Sequence, residues 1–362
     1  MNCNDIISLA SPNNTGATYE KMKFTLSIAA TTLFALSLSA CDDKKTATVS
    51  TASSNNPTTA AETPVSVQSK FVTIATGGAS GPYNIIATTL SDIYSKSLKT
   101  NSKTQTTGAS VENLNLMAQK KVEMAFVMSD ALNDALNGTG SFPAKLENVT
   151  QMAALYPNYV QIVTSKRSGI KTITDLKGKR VATGAQNSGV EVNARNLLAG
   201  FGITYSDINV DYLGYAEAAD ALKAGSIDAA FLTSGLPNSS LLELQQSFDL
   251  QLVAIPVEGV QKLAESKPYF NAMEIPANTY GNEEPIPTAA IKNALVVRKD
   301  MSEADVYLLT KTFFDSLAQL QTAHQAAKAV SLEGAQQGLV APLHSGAQKY
   351  YDEVSKNKIN LC

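Results

Sequence analysis

Tryptophan is absent from this 362-residue chain, histidine occurs twice, cysteine three times and arginine four times. With only His324 and His344 available, a histidine-rich metal site is effectively excluded, and little material remains for a histidine-dependent triad. No cofactor and no metal are expected. Basic residues never form a dense run, and the formal net charge is −3, which speaks against a nucleic-acid surface. Nucleotide fingerprints are missing too. In the glycine-rich turn 76-TGGASGPY-83 the glycine at 81 is followed by Pro82 and Tyr83, where a phosphate loop needs Lys and Ser or Thr. The dinucleotide pattern G-x-G-x-x-G fails as well. So does the serine-hydrolase elbow G-x-S-x-G, since 233-TSGLP-237 and 187-NSG-189 do not fit it. What is present is a globular composition, 44% hydrophobic and 17% charged, in a chain long enough for two domains.

Long apolar runs are scarce. The segment 24-FTLSIAATTLFALSLSA-40 follows Lys21 and Lys23 and closes on 38-LSAC-41. Its length sits at the bottom of the membrane-spanning range, and a positive start, an apolar middle and small residues at the end make a secretory leader. It resembles a bacterial lipoprotein signal, which implies lipidation of Cys41. Residues 1–40 are then an upstream extension plus the leader (about 22–40), with Met22 the expected start. Cys41 and Cys362 would remain in the mature chain, leaving no internal disulfide. Asp42 and Asp43 after the cysteine resemble an inner-membrane retention signal. Residues 42–69 are rich in Ser, Thr, Ala, Asn and Pro, so 41–70 is expected to be a lipidated cysteine and a disordered tether.

From Phe71 onward, strands and helices alternate. Strands are predicted at 71–75, 122–128, 159–165, 179–183, 227–233, 250–256 and 294–299. Helical spacing joins Ile86, Leu90, Ile93, Tyr94 and Leu98, and again Val190, Ala194, Leu197, Leu198 and Phe201. Further helices are expected at 216–224, stopping at Gly225, over 302–332, and at 346–354. The alternation predicts α/β architecture with parallel sheets.

Ligands in such sheets bind beyond the carboxyl ends of the strands, and there this chain repeats one device. Turns rich in glycine, serine and threonine stand at 76–83, 106–114, 184–193 and 234–240, with Ser129-Asp130 after another strand. Most precede a helix, whose N-terminus offers unpaired N–H groups and a partial positive charge. Several converging on one cleft would make an anion site without a buried cation. A handful of such bonds, each about 1.5–3 kcal/mol, is the scale of micromolar binding, roughly 8 kcal/mol. Glycine and serine are also ordinary turn and cap residues. Tyr83 suits a pocket wall or hydroxyl donor, and equally packing against its own helix.

Other candidates point to structural roles. Arg195 lies two helical turns past Ser188, about 10 Å along the axis, too far for a clamp at that terminus. His344, beside Ser345, reads as a capping or packing residue. Asp130 and Asp228 do not make a convincing carboxylate pair. Ser129-Asp130 is the one candidate for a reactive pair, which an extracytoplasmic enzyme acting on a small acid would require.

Read in order, 76-TGGASGPY-83, 107-TGASVENLNLM-117, 123-EMAFVMSDAL-132, 155-LYPNYVQIV-163, 169-GIKTITDLKGKRVATGAQNSGVEVNARNLLAGFGI-203, 221-ALKAGSIDAAFLTSGLPNSSL-241 and 342-PLHSGAQKYYDE-353 resemble the TAXI family. These are the solute-binding proteins of tripartite ATP-independent periplasmic (TRAP) transporters. The resemblance implies a two-lobed, periplasmic-binding-protein-like (type II) α/β fold with a hinge. Residues 71–158 and 294–362 would form lobe I, and 159–293 lobe II. It implies a non-enzymatic receptor, lipid-anchored in the periplasm, that binds a small organic anion such as a glutamate-like amino acid or a dicarboxylate. The anion would be delivered to TRAP membrane subunits. By position the ligand-facing residues would be Gly78, Ala79, Ser80 and Tyr83; Gly108, Ala109, Ser110 and Asn113; Ser129 and Asp130; Asn187, Ser188, Gly189 and Val190; and Thr233, Ser234 and Gly235. The chain departs from the family at Asn84, where a second aromatic is common, and at Gln186 and Asn187, where Pro or Gly usually precedes Ser-Gly. These departures bear on which ligand is bound. A binding protein of an ATP-driven importer shares the same physics.

Overall fold

The computed structural model describes residues 66–360. Cys41 and its leader, the tether up to residue 65, and Cys362 lie outside the described residues. Among those described, no helix is long and apolar enough to cross a membrane. The tether ends earlier than its composition suggests. Val67 is buried, and the N–H groups of Gln68 and Ser69 donate to the Asp305 carboxylate at 2.7 and 2.9 Å, so a distant charge holds residues that look unstructured locally.

The first lobe starts with β1 (Phe71–Ala75), α1 (Pro82–Leu98), β2 (Asn101–Gln105), α2 (Ser110–Ala118), β3 (Met124–Met128) and α3 (Ser129–Asn137). β1 pairs in parallel with β2 and β3. β4 (Val149–Ser165) then runs out of this lobe into the second. There follow β5 (Arg180–Ala182), α4 (Gly189–Gly200), β6 (Asn209–Asp211), α5 (Tyr215–Ala224), β7 (Ala229–Ser234), α6 (Ser239–Leu244), β8 (Leu250–Val253), α7 (Val257–Ser266) and β9 (Phe270–Ile275). β10 (Ile286–Arg298) carries the chain back, and α8 (Glu303–Asp315), α9 (Leu317–Ala323) and α10 (Ser345–Asn360) complete it.

The strand order is β2-β1-β3-β10-β4-β7-β5-β6, with β8 beside β4 and β9 beside β10. This two-lobed α/β arrangement is mixed rather than parallel throughout. β10 runs antiparallel to β3 and β4, and β7 and β8 run antiparallel to β4. Chain alternation predicts parallel pairing within each lobe, where it occurs, but cannot register a strand that enters from the other lobe. Both crossing strands are also longer than their predicted cores at 159–165 and 294–299. Their other halves, VTQMAALYPN and IPTAAIKN, carry polar residues and proline that blur the β pattern.

Each lobe buries apolar side chains on both faces of its part of the sheet. In the first, Leu90, Tyr94, Phe126, Leu309, Phe313 and Tyr351 fill one face, and Leu114, Val127 and Leu132 the other. A fully buried side chain of this size contributes about 1.5–3 kcal/mol. Tyr94 and Tyr351 also donate their hydroxyls to the Leu309 and Met152 carbonyls, at 3.0 and 2.9 Å, which fixes the C-terminal helices on the first lobe. His344 accepts the Gly346 N–H on Nδ1 at 3.1 Å, a helix cap, and burial lowers the pKa of its imidazole. Phe231, Leu197 and Phe270, and opposite them Leu222, Leu232 and Tyr280, fill the second lobe.

The lobes touch closely. Met128 of β3 packs in a core of the second lobe and Val192 of α4 in a core of the first. The Glu112 N–H donates to the Asn187 carbonyl at 3.2 Å, and the Ser239 hydroxyl to the Ser80 carbonyl at 2.8 Å.

Candidate functional site

Between the lobes lies a cavity of about 330 Å³. Its walls come from the turn after β1 (Gly77, Gly78, Ser80, Gly81), the start of α1 (Pro82, Tyr83), and the turn before α2 (Thr106 to Ala109). Met128 and Asn158 form the floor of contacts from β3 and β4, and the second lobe adds Ala185, Ser188, Val190, Gly214 to Glu217, and Ser234. No Lys, Arg or His is among these residues, and Glu217 is their one charged side chain.

Helix starts surround this space. α1, α2 and α5 begin at Gly81, Ala109 and Gly214, and none of the three receives a side-chain cap. Pro82 has no N–H, the Asn84 N–H donates to the Gly81 carbonyl and the Glu112 N–H to that of Asn187; the remaining first-turn N–H groups, such as those of Tyr83, Ser110, Val111 and Tyr215, and the helices' partial positive charges are what a bound acceptor can use. α1 has no acidic residue in its first turn. In α2, Glu112 turns back to accept the Gly108 N–H at 2.6 Å. α4 differs, since its Ser188 hydroxyl accepts the Glu191 N–H at 3.1 Å.

Ala109 has φ +83° and ψ −142°, a region that costs a side-chain-bearing residue about 1–3 kcal/mol. Its N–H donates to Thr107 Oγ1 at 3.0 Å and its carbonyl accepts from the Asn113 N–H at 2.9 Å. These bonds hold the strained corner against the cavity.

The predicted ligand-facing residues divide. Gly78, Ser80, Tyr83, Gly108, Ala109, Ser188, Val190 and Ser234 line the cavity; Ala79, Ser110, Asn113, Ser129, Asp130, Asn187, Gly189, Thr233 and Gly235 do not. Most of the second set build its walls. Asn113 is fully buried and donates to the Thr76 and Phe126 carbonyls at 2.6 and 2.8 Å, tying β1 to β3. Ser110 Oγ accepts the Met128 N–H at 3.0 Å. A Cβ on Gly189 would lie 2.6 Å from that same Oγ, so glycine permits the lobes to meet there, and a Cβ on Gly235 would lie 2.6 Å from Ala326 Cβ. The Ser129 hydroxyl donates to the Lys292 carbonyl at 2.9 Å, whereas Asp130 accepts from the Asn193 amide; the two side chains serve different partners. Asp228 pairs with Arg180 at 2.6 Å, and Arg195 with Glu191 over the Tyr205 ring.

Tyr83 combines both roles foreseen for it. Its ring packs on Phe126 with centroids 5.3 Å apart, and its hydroxyl donates to Asn293 Oδ1. Burial, with Tyr156 and Tyr215 nearby, holds that hydroxyl protonated. Tyr215 donates to the Thr233 carbonyl at 2.6 Å, and its ring closes on Gly81 from the opposite lobe.

Gly77, Gly81, Pro82, Thr106, Thr107 and Ala185 line the cavity from turns that the sequence singled out, without having been named individually as ligand-facing, whereas Met128, Asn158 and the Gly214–Glu217 turn were missed. That turn comes after β6, whose three residues NVD carry no strand pattern, so nothing in the sequence marks it as lying beyond a strand end. Asn158 lies inside a strand, where no turn marks it.

The family model described as the NMT1-like family matches residues 74–354. The chain is similar to the alkanesulfonate-binding protein SsuA from Xanthomonas axonopodis pv. citri, solved with MOPS, at 15% identity and a TM-score of 0.44, covering 78% of this chain and 83% of that one. It is similar to the periplasmic aliphatic sulphonate binding protein SsuA from Escherichia coli at 14% identity and a TM-score of 0.42, covering 80% and 93%. PhnD1 from Prochlorococcus marinus (MIT 9301), solved with methylphosphonate, matches at 13% identity and a TM-score of 0.47, covering 80% and 98%.

Proposed function

Since the chain belongs to the NMT1-like family, we propose that it is a solute-binding protein of the periplasmic type, which encloses one small organic anion between its lobes. The observation that carries this reading is the cavity itself. It has a volume in the range of small-ligand sites, it draws on both lobes, and three helices with uncapped N-termini open onto it. Among its lining residues the available chemistry is donation of hydrogen bonds and apolar enclosure. No nucleophile–base pair stands there, which favours a receptor over an enzyme.

The finer reading follows the TAXI resemblance. The ligand is a glutamate-like amino acid or a dicarboxylate, the receptor is held at a bacterial membrane through a lipid on Cys41, and it delivers its ligand to TRAP membrane subunits driven by an ion gradient. The absence of a cationic side chain among the lining residues supports capture by backbone dipoles.

Thermal denaturation against a panel of amino acids and organic acids tests the reading. A binder at a hundredfold excess over its dissociation constant stabilises the folded state by about 2.7 kcal/mol. A panel without any shift at millimolar concentration sinks the small-anion assignment. Reconstituted uptake with TRAP subunits or with an ATP-driven importer decides between the two partners.

A further inference from the structure

Asn158 is nearly inaccessible, at 2% exposure, yet lines the cavity. It sits on β4 opposite Ile291 of β10, beside an irregularity where the pairing shifts between Lys292 and Ala294. The residue at that irregularity is Asn293, which is buried and bonded to three groups. Its Nδ2 donates to the Tyr156 backbone carbonyl at 2.8 Å and to Asn158 Oδ1 at 2.8 Å, and its Oδ1 accepts from the Tyr83 hydroxyl.

This arrangement fixes which way each amide points. A backbone carbonyl only accepts, so the Asn293 atom facing Tyr156 must be nitrogen. Its oxygen then faces Tyr83, whose protonated hydroxyl donates. The Asn158 atom facing Asn293 Nδ2 must be oxygen. The Nδ2 of Asn158 is left on the other side of the amide from Asn293, on a residue that lines the cavity.

We propose that Asn158 is a specificity-determining residue of the site: its amide NH₂, oriented by the Tyr83–Asn293 relay, reads an acceptor oxygen of the ligand. This rests on the small-anion reading above and adds the group that selects within it. A carboxylate or carbonyl oxygen satisfies that NH₂, whereas an ammonium group placed there would leave two donors facing each other. Tyr83 and Asn293 are positioning residues. Asn158 carries no charge, so it recognises an oxygen without adding a cation.

Titration calorimetry with L-glutamate and 2-oxoglutarate, on wild type and Asn158→Asp, tests this. The substitution keeps the shape and the oxygen that Asn293 needs, and replaces the NH₂ by an acceptor. Affinity for whichever acid binds wild type is expected to fall about a hundredfold at neutral pH, the loss of a good bond plus repulsion. Relative to wild type, part of it should return at acid pH as the new carboxyl takes up a proton and again donates. Tyr83→Phe is expected to give a smaller loss with no such pH dependence. Binding by Asn158→Asp at wild-type affinity overturns the proposal and leaves the receptor reading intact. A fall in affinity that is equal at every pH also overturns it, since lost folding rather than a lost donor would explain that. Wild type binding neither acid overturns the receptor reading for these ligands and the role of Asn158 with it.

Discussion

Asp130 in the first turn of α3 and Asn193 on α4 meet across the two lobes, the asparagine amide donating to the carboxylate, with both side chains wholly buried. The partner that Asn193 offers is neutral. Joining the lobes therefore takes a carboxyl group out of water and offers it one amide from the far side.

A pH dependence results. Burial pushes the Asp130 carboxyl from 3.8 up to about 7; the Ala131 N–H and the Asn193 amide oppose the rise, and Asp134 one turn along adds to it. The Asp130 charge in turn raises the pKa values of the Tyr83 and Tyr269 hydroxyls. A folded-state value above the ordinary one means that the contribution to stability is full below about pH 4 and is lost as the pH rises through about 7. Between about pH 5.5 and about pH 8, wild type is expected to lose about 2 kcal/mol relative to Asp130→Asn. Denaturant titrations of both proteins at the two pH values measure this. Parallel behaviour would show that the carboxyl stays ionised in the folded protein.

Gly189→Ala tests the contact between lobes. The added methyl would lie 2.6 Å from Ser110 Oγ and 3.0 Å from Met128 Cε, against a hydroxyl already holding the Met128 N–H. Either Ser110 gives up that bond or the lobes separate. Ligand affinity is expected to fall by about tenfold or more, the equivalent of roughly 1.4 kcal/mol, and small-angle scattering of the saturated variant should show a more open particle. Unchanged affinity would mean that the two lobes adjust here at no cost.

Glu217 separates two kinds of acid. It is the charged side chain at a cavity otherwise lined by neutral groups, and it is exposed, so its influence is modest. L-Glutamate carries an ammonium group where 2-oxoglutarate has a carbonyl. Glu217→Gln is expected to move the preference by about three- to tenfold toward 2-oxoglutarate, read as a ratio of dissociation constants. A ratio that stays constant would place the carboxylate outside the ligand's reach.

The glycine- and serine-bearing corners were legible because backbone geometry demands such residues wherever a helix opens tightly after a strand, and eight of the anticipated residues line the cavity. Asn113, Ser110 and Gly189 belong to the same corners but face inward, holding strands or letting lobes touch. A turn's sequence does not say which of its neighbours points to the ligand. Asn158 and Asn293 were illegible for another reason. Each is one polar residue in a strand, and only the pairing of β4 with β10, more than a hundred residues apart, brings them together. The polar β2 and β6 show the same limit, because they form on the edges of existing sheets without a hydrophobic pattern of their own.

The two strands that join the halves of this molecule, β4 and β10, are hydrogen-bonded to each other along most of their length. The link is thus a ribbon, stiff against stretching and sideways shear, which would break its ladder, and soft only in bending. Any opening between the lobes is expected to follow the bending of this ribbon rather than many orientations. The ladder is interrupted between Lys292 and Ala294 and between Leu295 and Val296, and the first break holds Asn293, so a bend of the ribbon there is expected to carry the amide bonded to Asn158 along with it.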